Sequence, residues 1–137
     1  MDSYSVNDTI KYAAGVADEV MPGDIICLDG DLGVGKTVFA QGFAQALGIN
    51  EPITSPTFTI MNIYESGRLP LYHYDVYRIE DESEMDELGY EEYFFGQGVT
   101  LIEWASQIPD CIPQTAKHIT IKKDPSKGDD YREITCS

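Results

Sequence analysis

The sequence is short of positive charge: nine Lys and Arg stand against twenty-four Asp and Glu, a formal charge of −15 over 137 residues. A surface with so few cations cannot pair with many phosphates, which argues against a protein that grips nucleic acid or an anionic membrane by itself. Any RNA-related role needs a basic partner. Cysteine is scarce too. Cys27, Cys111 and Cys136 are odd in number and far apart, with no C-x-x-C pair to hold zinc or cycle between redox states, so reduced thiols are expected. No apolar run approaches the ~18 residues of a membrane span, and Met1-Asp2-Ser3 carries no basic leader, so the expected location is the cytoplasm, with no membrane partner.

What is present suits one globular unit. The length matches a single domain, 1–137, and 42% apolar content supplies a core, which excludes disorder as a description of the whole chain. Val6, Ile10, Ala13, Ala17 and Val20 recur at helical spacing behind Ser5, which with Asp8 fits a capping box, with Asn7 as a competing cap. Met21-Pro22-Gly23 stops that helix, and Asp24 to Asp29 reads as a short buried strand. Val38 to Leu47 predicts a second helix, with Phe39, Phe43, Ala46 and Leu47 inward and Gly48 as its left-handed cap.

Phe58 to Tyr64 and Leu69 to Tyr77 predict an antiparallel pair around Glu65-Ser66-Gly67-Arg68. Glu80 to Phe95 predicts two short helices broken at Gly89, Val99 to Glu103 a buried strand, and Lys117 to Lys122 and Tyr131 to Cys136 two further strands. The expected fold is α/β, in three layers, with a mixed central sheet and antiparallel hairpins.

Gly30-Asp31-Leu32-Gly33-Val34-Gly35-Lys36-Thr37 fits G-x-x-x-x-G-K-T between a buried strand and a helix start, where a phosphate loop belongs. Glycines let successive backbone N–H groups turn inward around a phosphate, and the helix start adds positive partial charge. Lys36 would reach the β- and γ-phosphates and the Thr37 hydroxyl would bind Mg²⁺. The bland alternative is a structural glycine turn. Such a site needs a carboxylate at a neighbouring strand end, and Glu103 is the first candidate, as metal ligand or water-orienting group, against a plain surface Glu.

Asp75 competes with Glu103 for that role. In extended backbone His73, Asp75 and Tyr77 share one face, which could look towards a nucleotide, while His73 and Asp75 could equally form an ordinary hydrogen-bonded pair. Ser55-Pro56-Thr57 is either a turn or a segment whose Thr57 hydroxyl meets Mg²⁺ when a γ-phosphate is present. Ile121-Lys122-Lys123-Asp124 nearly fits a guanine-recognition pattern but begins with Ile, so ATP is the expected nucleotide.

Five blocks together resemble the TsaE family, P-loop ATPases of bacterial tRNA threonylcarbamoyladenosine biosynthesis. They are Gly30 to Thr37, Ser55-Pro56-Thr57-Phe58-Thr59, His73-Tyr74-Asp75-Val76-Tyr77-Arg78, Glu87-Leu88-Gly89 and Leu101-Ile102-Glu103-Trp104. The resemblance runs from about Thr9 to Arg132 and implies an α/β, three-layer P-loop NTPase fold. It implies a weak, Mg²⁺-dependent ATP hydrolase that acts on the TsaB and TsaD proteins, and reaches tRNA only through them, without catalysing threonylcarbamoyl transfer. It also implies catalytic roles for Lys36, Glu103 and Asp75, nucleotide contacts from Gly33, Val34, Gly35, Lys36, Thr37, Val38, Thr57 and Trp104, and Mg²⁺ at Thr37 and Glu103. Thr9 and Arg132 match regions near the adenine.

A small-molecule kinase and a nucleotide-gated binding module are the competing classes. The stretch between Arg78 and Lys117 has no Lys or Arg, which leaves a kinase without a basic lid there. The charge is also polarised. Eight acids lie in residues 80–92 and five of the nine basic residues lie from Lys117 onward, so a solvated helix face and a docking surface for a basic partner are both open readings.

Overall fold

A computed structural model describes residues 1–30, 35–54, 56 and 60–137. Its centre is one seven-stranded mixed sheet in the order β1-β7-β6-β2-β5-β4-β3. The strands are β1 (Asp2–Ser3), β2 (Ile25–Asp29), β3 (Met61–Tyr64), β4 (Leu71–Asp75), β5 (Val99–Glu103), β6 (Lys117–Lys123) and β7 (Arg132–Cys136). The middle four, β6-β2-β5-β4, run parallel; β3, β7 and β1 join antiparallel at the two sides.

Helices α1 (Val6–Glu19) and α2 (Lys36–Ala46) cover one face, and α3 (Ser83–Glu87) and α4 (Tyr90–Phe94) cover the other with two 3₁₀ turns, Ala105–Gln107 and Pro109–Cys111. The β5 strand is buried along its length, as expected of parallel strands covered on both sides. Period-two alternation sorts its neighbours. Ile26, Leu28, Leu71, Val99 and Leu101 pack under α1 and α2, whereas Ile25, Cys27, Tyr74 and Ile102 pack under α3, α4 and the 3₁₀ turns.

Local signals explain most element ends. The Ser5 hydroxyl accepts from the Asp8 N–H at 3.2 Å, so Ser5 and not Asn7 is the cap. The Asp8 carboxylate completes the box one residue further back than usual, on the Tyr4 N–H at 3.0 Å. Gly48 has φ 84°, which supplies the expected left-handed turn after α2. α1 and α2 approach so closely at Gly42 that a Cβ there would lie 3.0 Å from the Ile10 Cα. The predicted pair of strands forms, with β4 ending at Asp75; Phe58 and Thr59 fall outside the described residues. The two-residue β1 was not expected, because its partner β7 lies far along the chain.

Arg68 ties the β3–β4 connection to the end of α1. Its Nη2 donates to the carbonyls of Ala17 at 2.6 Å and Val20 at 3.1 Å, groups with no partner inside the helix. Arg68→Ala is expected to lower unfolding free energy by about 1–3 kcal/mol, measured by denaturant titration, with Arg68→Lys recovering only part, because one ammonium lacks the fork's geometry.

Candidate functional site

Open α/β sheets bind ligands at the carboxyl ends of their parallel strands. Here three adjacent strands end on acids: β2 on Asp29, β5 on Glu103 and β4 on Asp75. Asp75 and Glu103 are register partners and point to the α1/α2 face, whereas Asp29 points to the opposite face with Cys27. The glycine-rich segment leaves β2 and enters α2 at this edge. Gly35 caps α2 with φ 109°, a conformation that L side chains rarely adopt.

Lys36 is the first residue of α2 and is only 5% exposed. Its Nζ donates to the Gly30 carbonyl at 2.7 Å and lies 3.5 Å from the centroid of the Trp104 ring. A buried ammonium needs such compensation, and a carbonyl, an aromatic face and nearby carboxylates supply it. Trp104 reaches that position through a left-handed backbone, φ 63°, which turns the chain sharply after β5. Tyr77 also packs against this ring, its centroid 4.8 Å from that of Trp104. Trp104 thus joins site and packing at once.

Glu103 is 3% exposed, which removes the reading of a surface strand-end acid. Its Oε2 lies 2.6 Å from the His73 Nε2. His73 therefore pairs across strands with Glu103 and not along its own strand with Asp75. The Nε2–H tautomer suits this contact, leaving His73 Nδ1, buried and without a partner, as an acceptor only. The Asp75 carboxylate accepts from the Tyr77 N–H at 3.1 Å, since the strand turns there and the alternation towards Tyr77 stops. Burial pushes the Asp75 carboxyl above its ordinary range; the Tyr77 N–H opposes this, Glu103 adds to it, and His73 and Lys36 oppose it.

Four expected nucleotide contacts meet elsewhere on the same edge. Thr9, Gly35, Val38 and Arg132, with Ser5, Val6 and Asp130, line a groove of about 190 Å³. Thr9 is held by the buried Ser3 hydroxyl at 2.8 Å, and Arg132 Nη1 donates to the Asp129 and Tyr131 carbonyls, both at 2.7 Å. Thr37 is exposed in the first turn of α2. Gly33, Val34 and Thr57 lie outside the described residues. The near-guanine motif is spent locally: Lys122 and Lys123 lie in β6, and Asp124 accepts from the Ser126 N–H and hydroxyl.

Sequence reasoning missed Asp29 and the His73–Glu103 pair. The first had a readable signal, an acid directly before Gly30 at the end of an apolar strand. The second depends on which strand neighbours β4, which periodicity does not reveal.

Known proteins bear directly on this arrangement. The family model described as "Threonylcarbamoyl adenosine biosynthesis protein TsaE" matches residues 3–134. The tRNA threonylcarbamoyladenosine biosynthesis protein TsaE of Bacillus subtilis is 58% identical over 128 residues, covering 93% of this chain and 78% of the relative. That of Treponema pallidum is 39% identical over 133 residues, covering 97% and 96%. The crystal structure of Bacillus subtilis YdiB superposes with a TM-score of 0.82 at 46% identity, covering 99% of this chain and 82% of that one.

The raised Asp75 carboxyl fixes the sign of a stability effect. Below its ordinary value of 3.8 the group is protonated in both states and contributes nothing; as pH rises through the raised native value, folded chains must release a proton that burial favours, and stability falls. Asp75→Asn keeps an acceptor for the Tyr77 N–H without the charge. It is expected to raise Tm at pH 7 and to leave Tm nearly unchanged near pH 3, measured by calorimetry. The fold, the strand-end acids and the relatives converge: this chain belongs to the TsaE family of threonylcarbamoyladenosine biosynthesis proteins.

Proposed function

We propose that the protein is a Mg²⁺-dependent ATPase that works with TsaB and TsaD in tRNA threonylcarbamoyladenosine formation, without catalysing the threonylcarbamoyl transfer. The observation that carries this reading is the buried Lys36 ammonium at the start of α2, near the strand-end carboxylates of Asp29 and Asp75 and next to the Thr9–Arg132 groove. Adenine would occupy the groove, against Val38 and the Arg132 region. The phosphates would follow the glycine-rich segment, with Lys36 leaving the Gly30 carbonyl to meet the β- and γ-oxygens.

The donor set fits a hard cation. Thr37, Asp75 and Glu103 offer oxygen only, and among the described residues no cluster of three His, Cys, Asp or Glu side chains could cage a metal. That pattern suits Mg²⁺, which keeps waters and substrate phosphates as ligands and takes one or two carboxylates from protein. When bound it would neutralise phosphate charge. Thr37 would hold it directly, and Asp75 and Glu103 would hold its waters. His73 fixes the Glu103 carboxylate, so that Glu103 can orient the attacking water without a rotamer search.

Phosphoryl transfer to water depends on positioning and charge neutralisation, so losing the ammonium should be severe. With TsaB and TsaD present, Lys36→Ala is expected to lower phosphate release by about 100-fold or more. Glu103→Ala should lower kcat by about 10-fold or more with a smaller effect on ATP affinity. Wild-type rates in both variants, or phosphate recovered on a metabolite and not as inorganic phosphate, would overturn the proposal.

A further inference from the structure

The face opposite α1 and α2 carries a second groove that the nucleotide reading does not use. It has a volume of about 350 Å³ and is lined by Asp29, Ala105, Ser106, Pro109, Ile112, Pro113, Gln114 and His118. Pro109, Ile112 and Pro113 give it rigid apolar walls, and Asp29 gives it a half-buried carboxylate. His118 and Lys36 act on that carboxylate electrostatically, and the backbone N–H groups of Ser106 and Ala105 face it. An ionised carboxylate has about four acceptor sites, so it has capacity for a further donor. Burial pushes the Asp29 carboxyl above its ordinary range despite those partners, so the fold leaves its charge undercompensated.

The surroundings repeat the same sign. The Asp110 N–H donates to the Glu82 carboxylate at 3.3 Å, which ties the groove's Pro109–Cys111 wall to the acidic segment 80–92. Helices α3 and α4, which overlap that segment, pack on the same sheet face through Met85 and Phe94. No Lys or Arg lies between Arg78 and Lys117, the stretch that builds most of this face. An apolar-walled cleft with one anionic acceptor inside and acids beside its rim is complementary to a cationic side chain on an apolar stem. A planar guanidinium suits it better than an ammonium, because it can stack on the proline walls while donating two bonds to one carboxylate.

We propose that this groove is a docking site for an arginine side chain of a basic partner protein, with Asp29 as its anchor and the acidic segment 80–92 as the attracting rim. The site goes beyond the ATPase reading and does not depend on it, because the groove lies on the other sheet face and its occupant is not a nucleotide. It also has a built-in link to the first site. Asp29 precedes Gly30, whose carbonyl holds Lys36, and the Lys36 charge acts on Asp29. A guanidinium on Asp29 would weaken the hold of that carboxylate on Lys36.

The test is an amide-NMR titration of the ¹⁵N-labelled full chain with a capped Gly-Ser-Arg-Ser-Gly peptide, its citrulline counterpart and spermidine. The proposal expects saturable shifts at Ala105, Ser106 and Gln114 with the arginine peptide. Affinity should be at least about tenfold weaker for citrulline, for Asp29→Asn and for spermidine. Ile112→Arg, which would place the chain's own guanidinium in the groove, should also abolish the shifts while the spectrum stays dispersed, and serves if Asp29→Asn does not fold. No saturable shift, equal binding of citrulline, or undiminished binding to whichever variant is folded would overturn the proposal. Equal binding of spermidine would overturn it too, since free polyamine and not a docked side chain would then be the occupant.

Discussion

The arrangement turns on one buried charge. Lys36 is placed at the start of α2 with 5% of its surface exposed, and its ammonium must be compensated wherever it goes. The Gly30 carbonyl, the Trp104 ring and the charges of Asp29 and Asp75 share that task. Each supporter has its own structural cost. Trp104 adopts a left-handed backbone, and Asp29 and Asp75 hold carboxyls whose charged form burial disfavours. These costs gather at one end of the sheet, and perturbed carboxyls of this kind tend to cluster at functional sites.

The sheet divides this edge between two faces. Period-two alternation sends Asp75 and Glu103 towards α2 and sends Asp29 the other way, although all three end neighbouring parallel strands. One face thus collects the oxygen donors suited to Mg²⁺ and phosphate chemistry. The other collects Asp29, the proline-walled groove and the acidic helices. Residues 29 to 36 connect them covalently, so a partner on one face and a nucleotide on the other would act on the same short stretch of chain. The −15 charge is in keeping with a part that meets RNA only through a basic partner.

Much of this was legible in the sequence because local physics decides it. Helix α1 follows its apolar spacing and Ser5 cap, Gly48 ends α2, Gly89 separates α3 from α4, and β5 runs from Val99 to Glu103 as its apolar run predicts. Placing Thr9 and Arg132 near one another rested on resemblance, and the groove they share with Gly35 and Val38 needs α1, α2 and β7 assembled. Strand neighbours were not legible. The sequence cannot say that β5 inserts between β2 and β4, and that insertion sets Glu103 against His73 and Asp75. Asp29 was readable as an acid at the end of an apolar strand, but its place in the groove beside Ala105 and Ser106 depends on the assembled fold. The TsaE family match over residues 3–134 agrees with the blocks that suggested it.

Trp104 is the sole tryptophan and its ring rests on Lys36, so its emission reports directly on where that ammonium is. The central claim is that Lys36 exchanges the Gly30 carbonyl and the Trp104 ring for nucleotide phosphate. Titrating the protein with ATP, ADP and AMP in the presence of Mg²⁺ tests it. The account predicts a saturable change in tryptophan emission with ATP and ADP, little with AMP, and none with any of them in Lys36→Met. An equal response to AMP, or an undiminished response to ATP in Lys36→Met, would contradict it.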